Sequence, residues 1–312
     1  MNKILAIIDA HDASLPALQQ AIIMTEGLPQ SAQVSESDTT DIVALHPVYD
    51  LPAQIEKIFH GTLLNNLTQP IIANAEQWLN QVVTPFQSPG NHIQQSVMWS
   101  SHAFEAILKK CQEASFDLII KKIDPHSRWT HFLFHSDDWH VLSQAPTEVL
   151  MISEPLSFNN GTLMVALESN DPKHDALNHR LLTRAKQLQT DWNMKVVVVH
   201  AYPNITGLPS YGIDGGYYLA PEVMEEIVAS HRQSTDTLLA SFAFQNLTTL
   251  VEPGPPAFLI QEKVSEIQPT CLMVGNLHNK GIPNITLHKP YDKLAANVAC
   301  ALWVVPDQKK TP

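Results

Sequence analysis

The stretch ILAIIDAHD, residues Ile4–Asp12, decides the fold of this 312-residue chain, because the chain contains a second version of it, LMVALESND, at Leu163–Asp171. Each version is a run of apolar residues followed by acids, as in a parallel strand that is buried on both faces and leads into a turn. Ordered matches over the length of a whole domain indicate a duplicated domain rather than a short structural repeat. Further segments recur in order at a spacing of 154 residues: Ile42–His46 with Val196–His200, Ala103-Phe104 with Ala257-Phe258, Asp117–Ile120 with Cys271–Val274, and Asp138 with Asp292.

Between these matches, the sequence alternates short apolar runs with helical stretches. In the first half, Ser14 and Pro16 mark the start of a helix after the first strand, and Ser101 marks the start of another. Such alternation predicts an α/β fold with a doubly wound parallel sheet in each half. The remaining strands of the first half are expected at Ile42–Leu45, Val97–Trp99, Leu118–Ile120 and Val149–Ile152.

The repeat predicts two tandem domains, residues 1–155 and residues 160–308, with the boundary in the polar, turn-rich segment Ser153–Gly161. We expect a separate sheet of five parallel strands in each domain. The last strands, Val149–Ile152 and Leu302–Val305, are expected at the interface between the domains. Ligands of such sheets bind beyond the carboxyl ends of the strands, where the strand order reverses. The residues that follow the first and fourth strands of each domain are therefore the candidate site.

The chain is acidic, with a formal net charge of −12, and its charge is unevenly distributed. Residues 1–156 carry 7 basic and 17 acidic side chains, a net −10, whereas residues 157–312 carry 12 and 14, a net −2. Such a surface repels the phosphates of nucleic acids and of anionic lipids, so we expect neither nucleic acid nor a membrane as a partner. The first half is also expected to be the poorer host for a polyphosphate.

The cysteines and the N-terminus indicate the compartment. Cys111, Cys271 and Cys300 have no CxxC spacing, which is typical of buried thiols in a reducing compartment. The apolar run Ile4–Ile8 is too short for the core of a signal peptide or for a membrane span. We therefore expect a cytoplasmic protein.

Taken in order, these segments resemble those of the universal stress protein family, and in particular its tandem E-type members. The resemblance rests on the strand that ends in an acid at Ile4–Asp9, on Leu45-His46 after the second strand, and on the DLII strand at Asp117–Ile120. The DWHVL segment Asp138–Leu142, followed by Ala145-Pro146, is similar to the E-type signature at the end of the first domain. The resemblance covers nearly the whole chain and implies a stress-response protein with this fold.

In nucleotide-binding members of the family, the loop after the fourth strand reads G-x2-G-x9-G-[ST], which lets backbone N–H groups and a hydroxyl approach the phosphates. This chain keeps little of that motif. We therefore expect no ATP site in the first half and, in the second, weak binding that prefers one small anion to a triphosphate. In the second half only the first glycine survives, and the aligned residues are Gly275, His278, His288 and Lys289, with Lys280 and Gly281 nearby. In the first half the motif is gone, and the aligned residues are Lys121, Asp124, Phe134 and His135.

The candidate ligand residues all lie in the second half. Glu168 ends its first strand, as Asp9 does in the first half, and such an acid either holds a ligand or is a polar helix-entry residue favoured by the helix dipole. His200 follows the second strand, as His46 does, and such a histidine either contacts a ligand or bonds the loop backbone. The full candidate set is Glu168, His200, Gly275, His278, Lys280, Gly281 and Lys289.

One segment of the first half is rich in histidines and aromatic residues. His131 and His135 have the i,i+4 spacing of a zinc pair, with Asp138 nearby, but the glutamate of an HExxH motif is missing, so we expect no metal. The aromatic residues either belong to the core or line a cavity for an apolar ligand. The other histidines are His126 and His140, and the aromatic residues are Trp129, Phe132, Phe134 and Trp139, with Trp99 at the end of the third strand.

The sequence contains no nucleophile elbow, P-loop or dinucleotide-binding motif, so we expect no enzymatic activity and no bound cofactor. The leading interpretation is a cytoplasmic stress-response binding or interaction protein whose ATP motif is degraded in both domains. Two alternatives remain open: a nucleotide sensor of the ATP or AMP type that uses the second domain, and a binder of an apolar or amphipathic small ligand. The partner classes are a small molecule and another protein, with paired domains in a monomer or a homodimer.

Overall fold

The computed structural model describes residues 3–10, 12, 14–26, 40–48, 62–88, 92–123, 136–202, 221–276 and 300–307. The chain divides into two compact units: unit 1 is Met1–Ser157 with Ala301–Gln308, and unit 2 is Phe158–Cys300 with Lys309–Pro312. Both units alternate strands with helices around mostly parallel strands. The predicted class, tandem doubly wound α/β domains, is confirmed.

Unit 1 contains six of the described strands, in the spatial order β3-β2-β1-β4-β5-β10. The first five run parallel to one another, and the strand order reverses between β1 and β4. The elements are β1 (Lys3–Ile7), α1 (Pro16–Glu26), β2 (Asp41–Val48), α2 (Thr62–Val83), a 3-10 turn (Thr84–Phe86), β3 (Ile93–Trp99), α3 (Ala103–Glu113), β4 (Leu118–Lys122), α4 (Ser136–Gln144), β5 (Glu148–Ile152) and β10 (Ala301–Pro306).

Unit 2 has four described strands in the order β9-β6-β7-β8, all parallel. Its strand order reverses between β6 and β9, which is the position that the β1–β4 junction occupies in unit 1. The elements are β6 (Thr162–Leu167), a 3-10 turn (Pro172–His174), α5 (Asp175–Trp192), β7 (Lys195–Tyr202), α6 (Pro221–Leu239), β8 (Leu247–Pro253), α7 (Pro256–Ile267) and β9 (Cys271–Asn276).

The central strands form the core of each unit because they are apolar on both faces. Leu118, Ile119 and Ile120 of β4 are fully buried, and the middle of β6 is equally inaccessible. The long helix α5 buries Leu177 and Leu181 against this sheet, as its helical spacing predicts. Among the helices of the described ranges, none is both long and apolar enough to cross a membrane.

The last strand of the chain departs from the expected arrangement. β10 belongs to unit 1, where it pairs antiparallel with β5 in the register Leu302–Met151 and Val304–Val149. The expectation of a separate sheet of five parallel strands in each half is therefore wrong for this strand. Every residue of β5 and β10 is buried, so the pairing satisfies the backbone groups that an open β5 edge would expose. The indole Nε1 of Trp303 donates to Glu148 Oε2 at 2.8 Å within this pair.

Candidate functional site

Three candidate residues lie at the carboxyl ends of neighbouring strands in unit 2. Glu168 directly follows β6, His200 lies near the end of β7, and Gly275 lies near the end of β9. β6 is hydrogen-bonded to both of the other strands, and its residue Leu167 is in register with His200. The fold therefore brings these three residues to the edge where a doubly wound sheet binds its ligands. His278, Lys280, Gly281 and Lys289 lie outside the described residues.

Glu168 is anchored through its backbone directly after β6. Asn178 Nδ2 on α5 donates to the carbonyl oxygen of Glu168 at 2.6 Å. The backbone N–H of Asn170 reaches Glu168 Oε1 at 3.4 Å, a long and weak contact. Burial raises the pKa of the Glu168 carboxyl, the Asn170 contact opposes this, and the nearby Asp171 raises it further. An acidic pair of this kind favours ligands with hydrogen-bond donors and disfavours a triphosphate.

His200 is fully buried and bonds on both sides of its ring. Its Nδ1 lies 3.2 Å from the carbonyl oxygen of Leu167, and its Nε2 lies 2.8 Å from Nδ1 of His231 on α6. With Nδ1–H donating to Leu167, Nε2 accepts from His231. Burial lowers the pKa of His200 to about 4, with a smaller lowering from His231. His200 thus makes the backbone contact that was one of its two interpretations, and the imidazole is neutral at pH 7.

A polar network around His231 was not predicted from the sequence. Its ring stacks on Tyr202, with centroids 4.6 Å apart and planes 17° apart. One helical turn later, Thr235 donates to the carbonyl oxygen of His231 at 2.8 Å, and its hydroxyl lies 2.7 Å from that of Ser169, just after β6. Burial also lowers the pKa of His231. The only sequence signal was the i,i+4 spacing of His231 and Thr235, which places both on one face of α6 without saying what that face meets.

Gly275 has a packing role that the sequence did not reveal. A Cβ at this position would lie 2.5 Å from Cδ2 and 2.8 Å from Cγ of Leu177 on α5. Residue 275 is buried within β9, and α5 packs directly over it. The close approach of helix to strand is therefore sufficient to explain the glycine, independently of any phosphate.

The equivalent edge of unit 1 carries ion pairs instead. At the end of β4, Lys121 Nζ lies 2.6 Å from Oδ1 of Asp138 on α4, and Asp138 is only 1% exposed. The next residue, Lys122, pairs with Asp12 in the loop between β1 and α1. Burial would raise the pKa of Asp12, but the hydrogen bonds from Lys122 and Ser14 hold it below its ordinary value. Asp124, Phe134 and His135, the other positions aligned with the phosphate loop, lie outside the described residues.

His46 of unit 1 repeats the backbone contact of His200 but has a different neighbour. Its Nδ1 lies 2.9 Å from the carbonyl oxygen of Ile8, and its ring faces Trp78 on α2 at 4.9 Å. The contact between this histidine and the backbone is thus present in both units. Asp9, the unit 1 counterpart of Glu168, is exposed.

The histidine-rich segment of unit 1 is only partly described. His140 stacks on Phe104 with centroids 4.3 Å apart, and its Nδ1 bonds Gln144 Nε2 at 2.8 Å, so its described contacts are structural. In the described ranges, no group of three or more His, Cys, Asp or Glu side chains could hold a metal ion. The remaining residues of the segment lie outside those ranges: His126, His131 and His135, together with Trp129, Phe132 and Phe134.

Comparison with known proteins covers the whole chain, although no family model matches it. Universal stress protein E of Escherichia coli (strain K12) is 26% identical over 321 aligned positions, which cover 100% of this chain and 96% of that protein. Universal stress protein E of Photorhabdus laumondii is 22% identical, with 100% and 97% covered. The structure of a universal stress protein from Archaeoglobus fulgidus superposes with a TM-score of 0.65 at 13% identity, covering 99% of each chain. The resemblance predicted from the sequence is therefore confirmed: over its whole length, the chain is similar to tandem-domain universal stress proteins of the E type.

Proposed function

We propose that this stress-response protein is a non-enzymatic ligand-binding protein in which unit 2 holds the ligand. In unit 1 the corresponding site is closed by ion pairs, so that unit 1 binds no nucleotide. The proposed site is the edge formed by Glu168 after β6, by the end of β9 at Gly275, and by the network of His200 and His231. We further propose that the protein acts in the cytoplasm, as a monomer or homodimer, and passes its signal to a protein partner.

The observation that supports this assignment is the difference between the two reversal points of strand order. In unit 1, both cations at the end of β4 are paired with carboxylates, which ties β4 to α4 and to the loop after β1. In unit 2, the corresponding residues at the end of β9 are Gly275 and Asn276, and no ion pair among the described residues crosses from β9 to the loop after β6. Among the residues that the structure describes, the unit 2 edge therefore has no counterpart of the ion pairs that lie at the unit 1 edge.

The chemistry of the unit 2 edge indicates the class of ligand. Glu168 and Asp171 make the edge acidic, while His200 is a neutral imidazole because its pKa is about 4. Carboxylates accept hydrogen bonds from hydroxyl and amino groups, and they repel phosphates. We expect a ligand with hydroxyl donors and less negative charge than a triphosphate, for which adenosine and AMP are suitable probes. ATP is expected to bind more weakly than AMP.

Calorimetric titration of the full chain with adenosine, AMP and ATP tests this proposal. Glu168→Gln should weaken AMP binding about tenfold, as expected for the loss of one charge-assisted hydrogen bond. The matched control is Asp9→Asn, which makes the same chemical change at the equivalent position of unit 1 and should leave the affinity unchanged. Absence of binding by all three probes, or an equal effect of Asp9→Asn, would contradict the proposal.

A second candidate function, the binding of an amphipathic small molecule, is favoured by one groove in unit 1. The groove has a volume of about 500 Å³ and runs beside the end of β3 and the outer face of α3. Trp99 supplies an aromatic surface, and Glu105 and Lys109 supply opposite charges. The uncharged dye Nile red tests this candidate, because Trp99→Ala should abolish its fluorescence gain if the groove is the site. An unchanged gain in that variant would exclude the groove.

A further inference from the structure

We propose that Lys121 and Lys122 form an anion site at the carboxyl end of the unit 1 sheet. The carboxylates of Asp12 and Asp138 occupy this site as internal counter-anions. The ligand class of the uncovered site is a small multivalent oxyanion. This inference goes beyond the proposed function, because it concerns the other unit and names the side chains that exclude anions from it.

One part of the proposed anion site is the ion pair of Lys121 and Asp138. Successive strand residues point to opposite faces, but Lys121 Nζ also lies 3.3 Å from the carbonyl oxygen of Lys122, so its ammonium sits at the very end of the strand. There it meets Asp138 Oδ1 at 2.6 Å. Neither carboxylate oxygen of Asp138 has a well-oriented hydrogen-bond donor in the described part of the chain. A buried carboxylate with so little other support indicates that its main role is to neutralise this lysine.

The other part of the proposed anion site is the ion pair of Lys122 and Asp12. The Asp12 carboxylate accepts from Lys122 Nζ with one oxygen and from the backbone N–H and hydroxyl of Ser14 with the other, at 3.1 and 2.6 Å. Side-chain exposure is 29% for Lys122 and 15% for Asp12, so the pair lies at the margin of solvent. An ammonium with a hydroxyl and an N–H close by is the donor set that an oxyanion prefers.

The two ion pairs lie where a ligand of the unit 1 sheet would bind, so they hinder the binding of an anion there. They flank the β1–β4 junction, where the strand order of unit 1 reverses and where a ligand of such a sheet would bind. An incoming oxyanion would have to displace two carboxylates that are already in contact with the lysines. Because the first half of the chain carries a net −10, the long-range field also opposes its entry.

The test is the binding of inorganic pyrophosphate to the full chain, measured by calorimetry and by the rise in melting temperature on addition of pyrophosphate. Asp12→Asn keeps the side-chain oxygen that accepts from Ser14 and removes the charge. Relative to the wild type, we expect a gain in pyrophosphate affinity of about tenfold or more in Asp12→Asn and in Asp12→Asn/Asp138→Asn. Adding Lys122→Gln to Asp12→Asn should abolish the gain.

Two controls separate an uncovered site from a general change in charge. Glu266→Gln removes an exposed carboxylate of unit 2 that pairs with Lys263 on α7 at 3.1 Å. Glu113→Gln removes an exposed carboxylate that pairs with Lys110 on α3 at 3.4 Å. Neither should gain pyrophosphate affinity. An equal gain in either control, or no gain in a folded Asp12→Asn variant, would overturn the inference. Since Asp12 is partly exposed, this variant is decisive even if Asp138→Asn fails to fold.

Discussion

His46 of unit 1 and His200 of unit 2 show what the duplication kept and what it changed. Both rings place Nδ1 on the carbonyl oxygen at the end of the first strand, Ile8 at 2.9 Å and Leu167 at 3.2 Å. The other side of the ring then differs, since His46 faces the indole of Trp78 and His200 bonds His231. The contact to the backbone is present in both units, whereas the side chains around it differ.

The ends of the fourth strands diverge further. β4 ends in two lysines that are neutralised by carboxylates, and β9 ends in a glycine and an asparagine. The two equivalent edges therefore carry different side chains, which is why we propose different binding properties for the two units. Four substitutions or titrations sharpen this contrast, from the largest expected effect to the smallest.

The largest loss of stability is expected for Asp138→Ala in unit 1. The substitution leaves the ammonium of Lys121, whose side chain is 18% exposed, without its buried partner. Breaking a buried pair from one side costs about 3 kcal/mol in the free energy of unfolding. Urea denaturation measures this, with Glu113→Ala, which breaks the exposed pair with Lys110, expected to cost less than about 1 kcal/mol. Equal effects of the two variants would show that the ion pair of Lys121 and Asp138 is not important for the stability of unit 1.

Gly275→Ala in unit 2 is expected to cost about 2 kcal/mol, because the new Cβ would overlap the Leu177 side chain. The same denaturation measurement applies. Leu177→Ala in the Gly275→Ala background should recover part of the loss introduced by the new methyl group. If Gly275→Ala is as stable as the wild type, the glycine is not required by packing. A role in ligand approach would then be the better explanation.

The pH dependence of unit 2 stability follows from His200. Its pKa is about 4 in the folded protein against an ordinary value of 6.5, so the unfolded chain binds more protons between these values. The stability contribution is therefore complete above pH 6.5 and is lost as the pH falls towards 4, by about 2 kcal/mol between pH 7 and pH 5. The lowered pKa of His231 acts in the same direction. His200→Gln should flatten this part of the stability profile, and an unchanged slope would refute the assignment.

The smallest effect is expected for Thr235→Val, which removes the hydroxyl between Ser169 and the His231 carbonyl. One neutral hydrogen-bonded hydroxyl contributes about 1 kcal/mol. The expected result is this modest loss together with weaker AMP binding, because α6 then holds His231 less firmly. If AMP affinity is unchanged while stability falls, the network supports the fold only.

Much of the fold was predictable because it depends on local patterns. The apolar run at Ile4–Ile8 and its second version in unit 2 fixed the strand type, and the 154-residue spacing identified the duplication. The attachment of β10 to β5 was not predictable, since the apolar pattern of residues 301–306 suits either sheet equally well. Pattern alone says which residues form a strand and which faces are buried, but not which edge the strand joins.

The candidate site was predictable only in part, for a related reason. Glu168 and His200 follow strands whose ends must meet, so topology alone brought them together. Lys122 and Asp12 are 110 residues apart, and no local pattern links them. His231 depends on the rotation of α6 about its axis, which a helix 19 residues long with a mixed surface does not specify. Long-range pairing of charged and polar side chains was the information that the sequence lacked.

The stoichiometry of AMP binding to the full chain, measured by native mass spectrometry, tests the contrast between the units most directly. One AMP per chain is predicted, with its population reduced by Glu168→Gln and unaffected by Asp9→Asn. Two AMP molecules per chain would contradict the proposal that unit 1 binds no nucleotide. Binding that is weakened by Asp9→Asn alone would place the site in unit 1 instead of unit 2. The absence of any AMP adduct would contradict the proposal that unit 2 binds such a ligand.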